Sequence, residues 1–220
     1  MAEHSNNYPP LTNLITVVGP QFCAPYPVDL TIVRKVLSIG EGNFSVADVN
    51  GNIIFKVKNT LFSLHDRRVL LDANSNPLLS IRKKILSAHS RWEVFRGDSS
   101  DSNDLLFSAK RSSLFQFKTQ LNVFLAGNNT NEEVCDFKIK GSWLERSCKI
   151  YVGDSSNLIA QMHKKHTVQS VLFGKDNFTV TAYPNVDHAF IVSLIVILNA
   201  INESANDTHT AGVSATAAIG

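Results

Sequence analysis

From Ala189 to Ala200 the chain reads Ala-Phe-Ile-Val-Ser-Leu-Ile-Val-Ile-Leu-Asn-Ala, which is apolar around nearly every side of a helix and not along one stripe. Asp187 stands where an N-cap is wanted, and Pro184 lies just upstream, where a sharp entry is tolerated. The β-branched content leaves a buried strand as the other reading of the same residues. Burying each large aliphatic side chain is worth roughly 1.5–3 kcal/mol, so something must surround this element. With its side chains a helix is about 10–12 Å across, whereas two face-packed sheets sit only about 10 Å apart, so a plain sandwich has no room for it. A closed barrel does. A membrane anchor fits less well, because about 14 residues of helix reach roughly 21 Å against a hydrocarbon core near 30 Å. The expectation is a central helix at about 187–202 inside a mostly β domain.

The rest of the chain supplies the wall. Phe115 to Val123 alternates apolar or Thr residues with polar ones, which puts one face in a core and one in water. Ile53 to Lys58 repeats the pattern and follows Phe44 to Val49 across Asn50-Gly51, a pair that favours a two-residue type I′ hairpin turn. Further runs at 31–39, 67–72, 78–85, 91–97, 104–110, 134–141, 147–153, 157–164 and 177–183 bring the total to about twelve strands, at the spacing of sandwiches and barrels. The 220 residues suit one large all-β domain, and 44% hydrophobic against 18% charged residues argues for a well-filled interior.

Pro9, Pro10, Pro20, Pro25 and Pro27 punctuate the start, so residues 1–22 read as a disordered tail leading into a domain at 23–203. Residues 204–220 are largely Ala, Thr, Ser and Gly and read as a second disordered tail. Met1 to Pro10 lacks a basic segment followed by an apolar run, so no secretory signal is read there. Cys23, Cys135 and Cys148 are odd in number, widely spaced and free of any CxxC pair. A reduced, cytoplasmic setting is the simpler expectation, with a peripheral place at the plasma membrane or a nuclear location left open. A formal net charge of only +2 gives no global field toward nucleic acid, so direct nucleic-acid binding is not expected and any anion binding must be local.

Several blocks are similar to plant LURP-one-related proteins: Cys23-Ala24-Pro25-Tyr26-Pro27, His65 to Asp72, Arg91 to Gly97, Gly141 to Ser147, and Tyr183 to Asp187. The resemblance runs from about Cys23 to Ile201. It implies a tubby-like fold, a twelve-stranded barrel threaded by a hydrophobic C-terminal helix, and a role in plant defence. The same fold class holds the tubby proteins, which bind phosphoinositides through surface cations and are described as membrane-tethered transcription regulators, and the phospholipid scramblases. Kinship of fold does not carry function with it.

Catalytic constellations are missing from the sequence. No Gly-x-Ser-x-Gly elbow occurs. Cys135 shares an apolar phase with Phe137 and Ile139, and Cys148 with Ile150 and Val152, which suits buried structural thiols. His163 and His166 flank two lysines and would point to opposite faces of a strand, a poor metal site. His65-Asp66 diverge as strand neighbours, and Gly174-Lys175 lacks Walker spacing. No enzyme activity, metal or cofactor is expected.

Cations are what remain. Arg82 and Lys84 share one strand face opposite Leu79 and Ile81, and Lys138 and Lys140 do so opposite Phe137 and Ile139; Lys110-Arg111 and Lys164-Lys165 add local density. Two cations on one strand face stand about 7 Å apart, close enough to grip one polyphosphorylated headgroup. An ordinary solvated barrel exterior would look the same. The Lys-x-Arg strand of the tubby lipid site is missing, so that site is not carried over. Arg82, Lys84, Lys138 and Lys140 are therefore the candidate lipid-binding residues of a monomeric, non-enzymatic binding module. Its expected partner is an anionic phospholipid headgroup, a phosphoinositide for instance, or a protein in defence signalling. A scramblase-like lipid transporter and a membrane-tethered transcription regulator are the alternatives.

Overall fold

The computed structural model describes residues 13–34, 44–59, 66–84, 91–112, 119–164 and 177–216. Twelve strands follow one another: β1 (Val28–Arg34), β2 (Phe44–Ala47), β3 (Ile53–Asn59), β4 (Arg67–Asp72), β5 (Pro77–Lys83), β6 (Arg91–Arg96), β7 (Leu105–Arg111), β8 (Thr119–Leu125), β9 (Phe137–Gly141), β10 (Lys149–Val152), β11 (Leu158–Lys164) and β12 (Phe178–Ala182). Each pairs antiparallel with the next, and β12 returns to β1, with Val28 opposite Ala182 and Ile32 opposite Phe178, so the sheet closes into a barrel. Closure removes both sheet edges. The period of two decides which side chains point inward: Leu30 and Ile32, Leu79 and Ile81, Leu121 and Val123 are fully buried.

Helix α1 (His188–Thr216) fills the interior. Every residue from Ala189 to Ala200 is buried, and nearly all have no accessible surface at all. Phe190 stacks edge-on against Phe107 at 5.2 Å and tilted against Phe137 at 4.9 Å, tying the helix to β7 and β9 of the wall. The polar Ser193 is satisfied within the helix, its hydroxyl donating to the Phe190 carbonyl at 2.6 Å. The all-round apolar pattern is thus that of a core helix, and no helix among the described residues is long and apolar enough to cross a membrane.

Several boundaries differ from the sequence reading. The strand expected at 31–39 starts earlier, at Val28, and residues 35–39 lie outside the described residues, as do Phe115–Lys118 of the strand expected at 115–123. The β2–β3 hairpin forms, but not with a two-residue turn. Asp48 accepts hydrogen bonds from the Asn50 and Asn52 backbone at 2.9 Å each, which opens the connection to residues 48–52 and leaves Gly51 at φ 86°. The β4–β5 hairpin repeats the device, with Asp72 accepting from the Asn76 backbone at 2.8 Å and from its side-chain amide at 2.9 Å.

Both expected tails are partly structured. The stretch given to a disordered tail through residue 22 is a strap from residue 13 onward, with Ile15 bridging Val186 and a 3-10 turn at Pro20–Phe22. The prolines misled because Ile15-Thr16-Val17-Val18 is itself apolar and β-branched, and Val18 is buried. At the other end, helix continues beyond residue 202 to Thr216, where a tail from 204 was expected. A helix already nucleated inside the barrel extends one residue at a time without a new nucleation step, so polar residues of modest propensity can follow. Residues 1–12 and 217–220 lie outside the described residues.

Candidate anion-binding site

Because the strands alternate in direction, every second connection falls at the same end of the barrel. The connections β2–β3, β4–β5, β6–β7, β8–β9 and β10–β11 share one end, and they carry Asp48; Asp72; Asp98, Asp101 and Asp104; Glu132, Glu133 and Asp136; and Asp154. The strap and the N-terminus of α1 lie at this end too. At the opposite end stand Lys58, Arg67, Arg68, Arg82, Lys83, Lys84, Arg91, Lys110, Arg111, Lys140, Lys149 and Lys164. Among the described residues the barrel thus has an acid-rich end and a cation-rich end, although Asp66, Glu145 and Glu203 stand at the second, and Asp98 and Glu132 reach Arg67, Arg91 and Lys110.

Some of those cations are already paired. Arg67 meets Asp98, Arg68 meets Glu203 of α1 at 2.9 Å, and Arg91 and Lys110 share Glu132. The Arg91 guanidinium holds the Glu132 carboxyl below the usual carboxylate range. Among the described residues, Lys58, Lys83, Arg111, Lys140, Lys149 and Lys164 form no salt bridge, although Lys140 helps to hold the Asp154 carboxyl below its usual range.

The four sequence-predicted residues divide between two places. Arg82 and Lys84 sit together on β5, where Glu93 of β6 takes both, at 3.4 Å and 3.1 Å. The Arg82 guanidinium also lies 4.3 Å from the centre of the Phe95 ring. With Lys83, Ser102 and Leu105 these groups line a surface cleft of about 440 Å³, in which three cations face one carboxylate. β9 is four strands away, roughly 19 Å around the wall at about 4.8 Å per strand, so the second pair does not join the first.

That second pair differs from expectation. Lys138, read as solvated, is buried and bonded to Asp154, whose carboxyl it holds below the usual range. The turn after β10 folds Asp154 over it, which strand phase alone does not reveal. Lys140 is exposed, and its true companion is Lys149, directly opposite it on β10. Like charges directly opposed on neighbouring strands are destabilising. The sequence reading missed Lys149, although it stands on the outward phase between buried Cys148 and Ile150. His163 on β11 lies beyond it; burial holds its pKa down, with Asp29 opposing and Lys149 adding to the shift. His65, Lys165 and His166 lie outside the described residues.

Gly141 closes the β9–β10 hairpin in a form no other residue allows. Its φ is 138°, and a Cβ there would stand 2.6 Å from the Ser147 carbonyl oxygen. Trp143 then turns into the core, edge-on to Phe178 at 5.5 Å, and the Arg146 guanidinium covers both rings at 4.6 Å and 4.5 Å.

Burial pushes the Cys148 thiol up to about 12, and burial also raises Cys135 and Cys23, so none is a ready thiolate. Among the described residues no three His, Cys, Asp or Glu gather as metal ligands.

The fold is a closed antiparallel barrel, a scaffold built round its own helix. The comparisons agree on which scaffold. The profile of the LURP-one-related family matches residues 28–199. LURP-one-related 15 of Arabidopsis thaliana is 60% identical over 84% of this chain and 85% of its own length, and LURP-one-related 10 of the same plant is 58% identical over 86% and 97%. A crystal structure of an Arabidopsis thaliana protein superposes with a TM-score of 0.68 at 51% identity, covering 85% of this chain and 98% of that one. This chain belongs to the LURP-one-related family.

Proposed function

We propose that the protein is a non-enzymatic docking module that seats the cationic end of its barrel on anionic membrane lipid, in plant defence signalling. The observation that carries this reading is the facing pair Lys140 and Lys149 on β9 and β10, which form no salt bridge among the described residues and stand at the cation-rich end of the barrel. Each cation near an anionic surface contributes about 1 kcal/mol, so several acting together give a modest, salt-sensitive affinity. A phosphoinositide suits the cleft of Arg82, Lys83 and Lys84, where the guanidinium is held in place by Glu93 and Phe95 before any ligand arrives. A scramblase-like role would need the helix to leave the barrel, and its complete burial from Ala189 to Ala200 speaks against that.

The test is flotation with phosphatidylcholine vesicles, with and without phosphatidylinositol bisphosphate, at low and high salt. Wild type should float only with the anionic vesicles at low salt. Reversing Lys140 and Lys149 together to Glu should weaken that binding at least about tenfold without loss of fold. Absence of wild-type flotation at low salt would overturn the reading.

A further inference from the structure

We infer that the tip of the β9–β10 hairpin, Leu144, is a membrane-inserting element that fixes how the cationic end meets an anionic bilayer. The inference rests on the docking reading above. A single exposed leucine ordinarily signals nothing. Three observations set this one apart.

The first is position. Among the described residues, the large apolar side chains left exposed are Leu14, Tyr26, Val49, Ile53, Val134 and Leu144. The first five lie on the strap, at the β2–β3 hairpin or in the β8–β9 connection, all at the acidic end, which an anionic surface repels. Leu144, 76% exposed, stands at the tip of the β9–β10 connection, the one connection at the cation-rich end that the described residues include.

The second is rigidity. The turn is closed by the Ser147 backbone donating to the Ser142 carbonyl at 3.0 Å and the Arg146 backbone donating to the Trp143 carbonyl at 3.1 Å, with Arg146 in the left-handed region at φ 54°. Trp143 is pinned in the core and Arg146 is stacked over it, so the two residues between them, Leu144 and Glu145, are held outward. An apolar side chain presented without a further ordering cost binds more tightly than one on a loose loop.

The third is flanking charge. Lys140 and Lys149 stand opposite each other at the neck of this hairpin, and neither forms a salt bridge among the described residues. Two phosphate-seeking cations below an apolar tip match the layering of a bilayer surface, where headgroups lie outside acyl chains. The neighbouring Glu145 is exposed at the same tip and opposes insertion, so penetration is shallow.

The experiment uses the full chain and vesicles of phosphatidylcholine with phosphatidylserine. Leu144→Glu should weaken flotation about tenfold while leaving the melting temperature unchanged, since the side chain is solvated. Glu145→Gln should strengthen flotation. Leu144→Trp should bind at least as well as wild type, with tryptophan emission shifting to the blue on vesicle addition and quenched by brominated lipid. If wild type and Leu144→Glu float equally and the introduced tryptophan is neither shifted nor quenched, the tip is not inserted, although docking by the cations stands. If wild type does not float at low salt, both readings fall.

Discussion

One carboxylate oxygen of Asp187 lies 2.7 Å from the backbone nitrogen of Val18, and through that contact the N-terminal strap is fastened to the first turn of the core helix. The same oxygen accepts from Val17 and Gly19 at 3.1 Å each, while its twin caps the helix by accepting from the Phe190 backbone at 3.0 Å. Asp187 has no accessible surface, so these donors replace its hydration. Arg96 adds a tether from β6 by donating to the Val18 carbonyl at 3.0 Å.

Replacing Asp187 with Ala should cost about 3–5 kcal/mol, because it removes a cap and leaves buried donors without an acceptor. Deleting the chain through Gly19 should cost part of the same energy. Urea unfolding of both variants and their combination should show strongly sub-additive losses, since both remove one shared contact. Fully additive losses would mean that the strap and the cap are independent.

Leu194→Asp should prevent folding. Leu194 has no accessible surface, and an unpaired carboxylate there costs on the order of the whole stability of a domain, about 5 kcal/mol or more. A chain ending at Asn185 should be insoluble for the related reason that the barrel would enclose nothing. A soluble, cooperatively melting product from that truncation would show the wall to be self-sufficient.

His188 makes stability sensitive to acid. Its ring is packed 5.6 Å from Phe22 and 5.7 Å from Phe55, and burial pushes its pKa below the ordinary 6.5, with Asp187 and a bond to the Phe22 backbone opposing the shift. The unfolded chain therefore takes up this proton first as the pH falls. Stability from the neutral ring is complete above 6.5 and is lost as the pH falls through 6.5 toward the lower folded value. His188→Phe should flatten the decline of melting temperature between roughly pH 7 and pH 5. Some slope should remain, because the pKa of His163 is lowered as well.

The helix and the wall were readable in the residues because each depends on a local pattern: apolarity at 189–200 interrupted only by Ser193 and Asn199, and alternation in segments such as Ile53 to Lys58. What depended on pairing was not. Asp187 was legible as a cap, but its bonds to Val17, Val18 and Gly19 span most of the chain. Lys138 and Lys140 look equivalent along their strand, yet Asp154 covers one and Lys149 faces the other, and only the β9–β10 register separates them. The acidic end had a signal, since Asp48, Asp72, Asp98 and Asp154 recur in alternate turns. Its meaning appears only when the strands are known to run up and down in sequence order.

The core helix follows all twelve strands along the chain, and this imposes an order on biosynthesis. At about 5–20 residues per second, roughly ten to thirty seconds separate the emergence of β1 from that of α1. Throughout that interval the ribosome presents a wall whose inward side chains have nothing to enclose. Closure of β12 onto β1 and filling of the interior must come together at the end of translation, which leaves that apolar surface unburied until then. A ribosome that terminates or stalls anywhere before Ala200 releases an aggregation-prone chain rather than a smaller working one.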